Sequence, residues 1–182
     1  ELSNVSSGAV LGKDSVMVLT IANDDYQTST IADVKMPDAD LAPTNINALY
    51  EITGVVYGID FDGNAGLSFT LIDATGGINI FNFVDVSDYV VTEGDNITAR
   101  GKIAFYRGLL ELLVDSIKVN SQGNALKAAT AVDVVSEATE SDYIKLNKVW
   151  IADGTTTWPT NGNVLLTNGQ MDTFQIRIDA DA

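Results

Sequence analysis

Apolar and polar residues alternate with a period of two along most of the chain. In the run from Ile97 to Tyr106, Ile97, Ala99, Gly101, Ile103 and Phe105 fall on one face and Thr98, Arg100, Lys102 and Tyr106 on the other. A strand with one side in a core reads this way, because successive side chains leave the backbone on opposite faces. The same alternation sets Leu67, Phe69 and Leu71 against Ser68 and Thr70, and Phe174, Ile176 and Ile178 against Gln175 and Arg177. Turn formers punctuate these runs at Asp62-Gly63-Asn64, Gly76-Gly77, Glu93-Gly94-Asp95, Arg107-Gly108, Asp153-Gly154 and Asn168-Gly169. The pattern predicts an all-β chain of short strands. Its one helical stretch is Asp85–Thr92, one to two turns long.

Part of the chain repeats. Tyr50–Asp60 followed by Leu71–Phe81 is echoed by Tyr143–Asp153 followed by Leu166–Ile178, Tyr143 standing 93 residues after Tyr50 and Leu166 95 residues after Leu71. A period of this length marks a domain rather than a solenoid unit. The first copy runs on well past the counterpart of Ile178, so residues 129–182 are expected to be an incomplete second domain.

Residues 50–121 resemble an OB-fold domain of the kind found in large secreted and surface proteins of Bacteroidota. The likeness is carried by Gly54-Val-Val-Tyr-Gly58, Phe69-Thr-Leu-Ile-Asp73, Gly77-Ile-Asn-Ile-Phe81, Glu93-Gly-Asp-Asn-Ile-Thr-Ala-Arg-Gly101 and Phe105-Tyr-Arg-Gly-Leu-Leu-Glu111. It implies a five-stranded barrel with Phe69, Leu71, Ile97, Ile103 and Phe105 inside and the helix near 86–91 plugging one end. Residues 2–25, from Leu2-Ser-Asn-Val to Ile21-Ala-Asn-Asp-Asp25, resemble the last strands of a Calx-β domain, an immunoglobulin-like sandwich. The expected organisation is therefore a sandwich fragment over 1–27, a linker and lead-in strand over 28–49, the OB barrel over 50–128 and the partial OB-like domain over 129–182. Together the resemblances imply export, by the type IX route, to the cell surface or beyond.

Composition narrows the chemistry. The 182 residues contain no His and no Cys, which excludes Ser-His-Asp and Cys-His nucleophile systems, His or Cys zinc sites and disulfides. Carboxylates, hydroxyls and oxygen ligands for hard cations remain. The net charge is −15, spread evenly along the chain, a field that repels nucleic acid and favours divalent cations. The apolar run Leu109-Leu-Glu-Leu-Leu-Val114 is far shorter than the ~20 residues of a membrane span, and insertion in a membrane is not expected. No targeting segment is seen near Glu1.

Several groups are candidate sites. Asp24 and Asp25 match the paired acidic residues that bind Ca²⁺ after the last strand of a Calx-β domain, so Ca²⁺ is the one cofactor implied. Asp60 and Asp62, with Asn64, look like the start of a calcium loop, but the twelfth position from Asp60 is Leu71, where an EF-hand needs glutamate, and a hairpin turn is the better reading. Phe81, Phe83, Phe105 and Tyr106 with Arg100, Lys102 and Arg107 make a candidate nucleic-acid face, the usual use of an OB fold. Short loops and the negative charge argue against it, leaving nucleic acid an improbable partner. Trp158, in Thr155-Thr-Thr-Trp-Pro-Thr160, is placed to stack on a sugar or to cover the second barrel. Ser15 and Ser116 sit in Asp-Ser-Val and Asp-Ser-Ile, similar to the O-glycosylation acceptor pattern of secreted Bacteroidota proteins, and Asn4 and Asn96 begin N-glycosylation sequons.

The expected function is a non-catalytic spacing, adhesion or ligand-presenting module of a secreted or surface-anchored multidomain protein. Its partners would be the other domains of that polypeptide and a surface glycan or protein. The alternative is an accessory nucleic-acid-binding domain of an extracellular nuclease. No enzyme activity is expected, since no convergent carboxylate pair is evident.

Overall fold

The computed structural model describes residues 25–180 except 64, 155–156, 170–172 and 179. Seven elements build the first unit: β1 (Gln27–Thr28), α1 (Ile31–Val34), β2 (Leu49–Tyr57), β3 (Leu67–Ile72), β4 (Gly77–Asn82), β5 (Asn96–Tyr106) and β6 (Leu109–Ser121). β2 pairs antiparallel with β3, β3 with β4, β4 runs parallel to β6, β6 pairs antiparallel with β5, and β5 returns to β2. This closed five-stranded circuit is the OB fold.

Closure depends on β2 serving two partners. Leu49–Val55 face β5 and Val55–Tyr57 face β3, so the strand coils where it changes neighbour. Gly54 permits the close approach, since a Cβ there would stand 2.8 Å from the Ile72 carbonyl oxygen. The alternating residues of all five strands meet inside. Ile52, Val56, Phe69, Leu71, Ile78, Ile80, Ile97, Ile103 and Leu112 lose all exposure, as expected from their period.

Three expectations need correction. Phe105 is 37% exposed rather than interior, because it faces Leu110 one step beyond the last β4–β6 pair, Asn79–Glu111, where the β5–β6 hairpin projects past the barrel wall. No helix forms over 85–92. Ser87 and Asp88 take left-handed φ angles of 58° and 51°, which a right-handed helix excludes. The turn they make still buries Val86 and Tyr89 in one end of the barrel. The other end is closed by α1, a single turn inside the segment read as a linker. Thr30 Oγ1 accepts from Asp33 N, Asp73 Oδ2 from Ile31 N at 2.9 Å and Thr75 Oγ1 from Ala32 N at 2.9 Å, while Ile31 and Val34 enter the core. Long-range acceptors thus satisfy N–H groups that so short a helix leaves open.

The second unit contains β7 (Thr130–Val132), a 3-10 turn at Glu137–Thr139, β8 (Ile144–Leu146), β9 (Trp150–Ile151), β10 (Gly162–Thr167) and β11 (Thr173–Ile178). It repeats the start of the first unit. A short strand runs parallel to the next, as β1 does to β2, and an antiparallel meander β9-β10-β11 follows. The Val56–Leu71 pair recurs as Ile151–Leu166, each partner 95 residues on. The units touch through residues 140–143. Lys35 Nζ donates to the Glu140 carbonyl at 2.6 Å, Glu140 Oε1 accepts from Leu110 N at 2.8 Å, and the Tyr57 and Tyr143 rings lie 5.5 Å apart.

Candidate nucleic-acid interface

The sheet registers assemble a row of outward positions across four strands. Ser68 of β3 lies opposite Phe81 of β4, Phe81 beside Leu113 of β6, and Leu113 opposite Lys102 of β5. Their inward neighbours Phe69, Ile80, Leu112 and Ile103 are in the core, so the row itself is half-buried to exposed. Just past β4, Phe83 is 74% exposed and its ring meets Phe81 edge-on, with centroids 4.9 Å apart and planes at 81°. An edge-to-face pair is a favoured aromatic geometry. It leaves Phe83 standing free of the core beside the row.

Tyr106 and Arg107 lie at the other end of the strands, in the tight β5–β6 turn. Arg107 has φ of 52°, and its guanidinium sits 5.2 Å from the centre of the Tyr106 ring. Between this turn and the phenylalanines, the next row toward the turn is Thr70, Asn79, Glu111 and Ala104. Burial pushes the Glu111 carboxyl above its ordinary pKa, against the opposing effect of a hydrogen bond from the Asn79 side chain. Asn79 and Glu111 are only 9% and 7% exposed, so the middle of this row is covered rather than open surface.

Arg100 is not free to join the site. Its guanidinium pairs with Glu51 at 2.6 Å and lies 5.7 Å from the centre of the Tyr26 ring, whose hydroxyl donates to Asp115 at 2.5 Å. That hydrogen bond raises the Tyr26 pKa. The cluster ties β1 to the barrel, and Ser116 lies opposite Arg100 on β6. Of the grouped candidates, Lys102, Phe81, Phe83, Tyr106 and Arg107 share one side of the barrel wall. Phe105 and Arg100 serve the hairpin and the strand pairing. Ser68 and Leu113 complete the row, Ser68 through the antiparallel β3–β4 register and Leu113 through the parallel β4–β6 register.

The calcium candidates have other surroundings. Asp60 Oδ1 accepts from Asp62 N at 3.1 Å and Ser68 N at 2.8 Å, making the hairpin turn between β2 and β3. Among the described residues no group of three or more acidic side chains is placed to hold a metal ion. Asp25 is exposed at the start of the first unit; Asp24 and Ser15 lie outside the described residues. Trp158 is exposed in the loop between β9 and β10, in the second unit. Among the described residues no helix is long and apolar enough to cross a membrane.

Comparison with known proteins adds four findings. No family model matches the chain. A stretch of 68 residues is 40% identical to Endonuclease YhcR of Bacillus subtilis, which is 36% of this chain but 6% of that protein. Among solved structures, the hypothetical protein ygiW from E. coli covers 51% of this chain and 89% of its own at 17% identity and a TM-score of 0.38. The second OB-fold domain of replication protein A from Methanococcus maripaludis covers 44% of this chain and 91% of its own at 25% identity and a TM-score of 0.35.

Proposed function

We propose that the barrel is a non-catalytic module that binds single-stranded nucleic acid on the Ser68–Phe81–Leu113–Lys102 row. The carrying observation is the Phe81–Phe83 pair, in which a half-buried Phe81 supports the 74% exposed Phe83 edge-on, with Lys102 on the same row two strands away. Base faces stack on such rings whatever the sequence, at roughly 1–3 kcal/mol per base, and a duplex hides those faces. Lys102 and Arg107 supply two phosphate contacts, too few to overcome a net charge of −15 without the stacking. The 40% identity to part of an endonuclease supports a role beside nuclease activity housed elsewhere in a longer polypeptide.

Fluorescence anisotropy with a labelled dodecathymidylate tests the reading. Binding is expected at low salt, with Phe83→Ala weakening it by about thirtyfold, the midrange of one stacked base. The logarithm of affinity should fall with the logarithm of salt with a slope near −1.4, about −0.7 for each of two contacts on a single strand. No binding at low salt, or equal affinity in Phe83→Ala and the parent, would overturn it. Phe83 is surface-placed, so its loss leaves the fold intact.

A further inference from the structure

The end of the barrel closed by Val86 and Tyr89 carries a different surface. A cavity of about 400 Å³ opens there, walled by Tyr89, Val90 and Val91 and rimmed by Asp60, Asp85 and Asp88. Val90 in its wall is 78% exposed, and Val84 and Phe61, the chain neighbours of rim residues Asp85 and Asp60, are 61% and 46% exposed. Clustered exposure of this kind on a protein surface marks a contact site more often than chance placement does. The rim is fixed rather than loose. Ser87 and Asp88 hold two consecutive left-handed conformations, and Ser87 Oγ accepts from Ile117 N at 3.0 Å. Among the described residues, no lysine or arginine lines the cavity, and neither Asp85 nor Asp88 has an ion-pair partner.

We propose that this end of the barrel docks a segment of another protein that presents an apolar anchor flanked by lysine or arginine. The apolar wall desolvates the anchor, and three carboxylates of one sign gain from a cation among them. Their charge disfavours nucleic acid on this surface, which adjoins the strand row where Phe83 meets Val84. A second copy of the chain is the poorer occupant, because two molecules of charge −15 repel.

Nuclear magnetic resonance titration of the 182-residue chain tests this without any nucleic acid. The probe is the blocked heptapeptide Gly-Lys-Leu-Lys-Leu-Lys-Gly, compared with versions carrying Ser for Leu or Glu for Lys. Only the Lys/Leu peptide should shift amides, and those within 60–63 and 84–91. The double variant Asp85→Asn, Asp88→Asn should bind at least fivefold more weakly, asparagine being tolerant of the left-handed backbone at 88. Asp133→Asn with Glu137→Gln removes the same charge elsewhere and should bind as the parent does. Equal weakening in both double variants, equal binding of the Ser peptide, or shifts and self-association broadening elsewhere would each overturn the proposal.

Discussion

The two units share a meander but differ in what their apolar faces meet. In the first, the β5–β6 hairpin seals the sheet, and Phe69, Leu71, Ile78 and Ile80 are fully buried. In the second, β10 buries Val164 and Leu166, while β11 alternates only between exposed and half-buried positions. Similar strands with the same register thus reach different burial. A period of two gives each strand an apolar face, but the closing strands convert that face into a core.

The largest effect expected of this difference lies at an equivalent pair of leucines. Leu71→Ala in the sealed core should cost the barrel about 2–5 kcal/mol, the usual range for a buried leucine. Its counterpart Leu166→Ala, under an open sheet that relaxes around the gap, should cost about 1–2 kcal/mol and leave the barrel unmoved. The chain offers separate probes, since both tryptophans, Trp150 and Trp158, belong to the second unit. Urea unfolding followed by tryptophan fluorescence and by amide exchange in 49–121 should therefore move independently in the two variants. Equal shifts of both probes in either variant would show one cooperative unit instead.

A smaller effect is expected where the units meet. A Cβ on Gly77 would stand 1.8 Å from the Ser141 carbonyl oxygen, backbone against backbone. Gly77→Ala must therefore displace residues 140–143, with loss of the Glu140 bonds to Leu110 and Lys35, at about 1–3 kcal/mol. Faster amide exchange at Leu110, with the β3–β4 amides still protected, is the expected signature. Unchanged protection at Leu110 would mean that the joint adapts without opening.

The longer strands were legible because each declares itself over six or more residues, whereas the two- and three-residue strands β1, β7, β8 and β9 carry too little alternation to show. What holds them together was less so. The β4–β6 pairing joins Asn79 to Glu111, and no local pattern announces a parallel neighbour across such a separation. Val86, Tyr89 and Val90 have the spacing of a helix face, yet Ser87 and Asp88 make a turn that buries two of the three. The helix α1 fell within a stretch read as a linker, because a single turn has no period of its own and is held by Asp73 and Thr75, more than forty residues away. Arg100 looked like any outward cation on an alternating strand. Only the fold sets it against Glu51 and leaves Lys102 to the face.

The smallest expected effect is on pH dependence, and again it divides the regions. Burial raises the pKa of Glu111 in the barrel wall and of Glu140 at the joint; for Glu140 the Leu110 N–H and Lys35 oppose the shift and Glu137 adds to it. A raised folded pKa favours folding when the group is protonated. That contribution is fully present below the unfolded glutamate value of about 4.3 and is lost as pH rises through the folded pKa. Asp73 behaves oppositely. Burial would raise it, but Thr75 Oγ1 and the N–H groups of Ile31, Thr75 and Gly76 outweigh that and lower its pKa. Its contribution is present above the unfolded aspartate value of about 3.9 and is lost as pH falls through the lower folded value. Glu111→Gln should therefore flatten the decline in barrel stability above pH ~4.3, whereas Glu140→Gln should flatten only the decline seen at the joint. Thermal melts across pH, read by circular dichroism for the barrel and tryptophan for the second unit, separate the two. A barrel profile that Glu111→Gln leaves unchanged would show that this carboxyl ionises alike in the folded and unfolded chain, and that its place on the face has no electrostatic consequence.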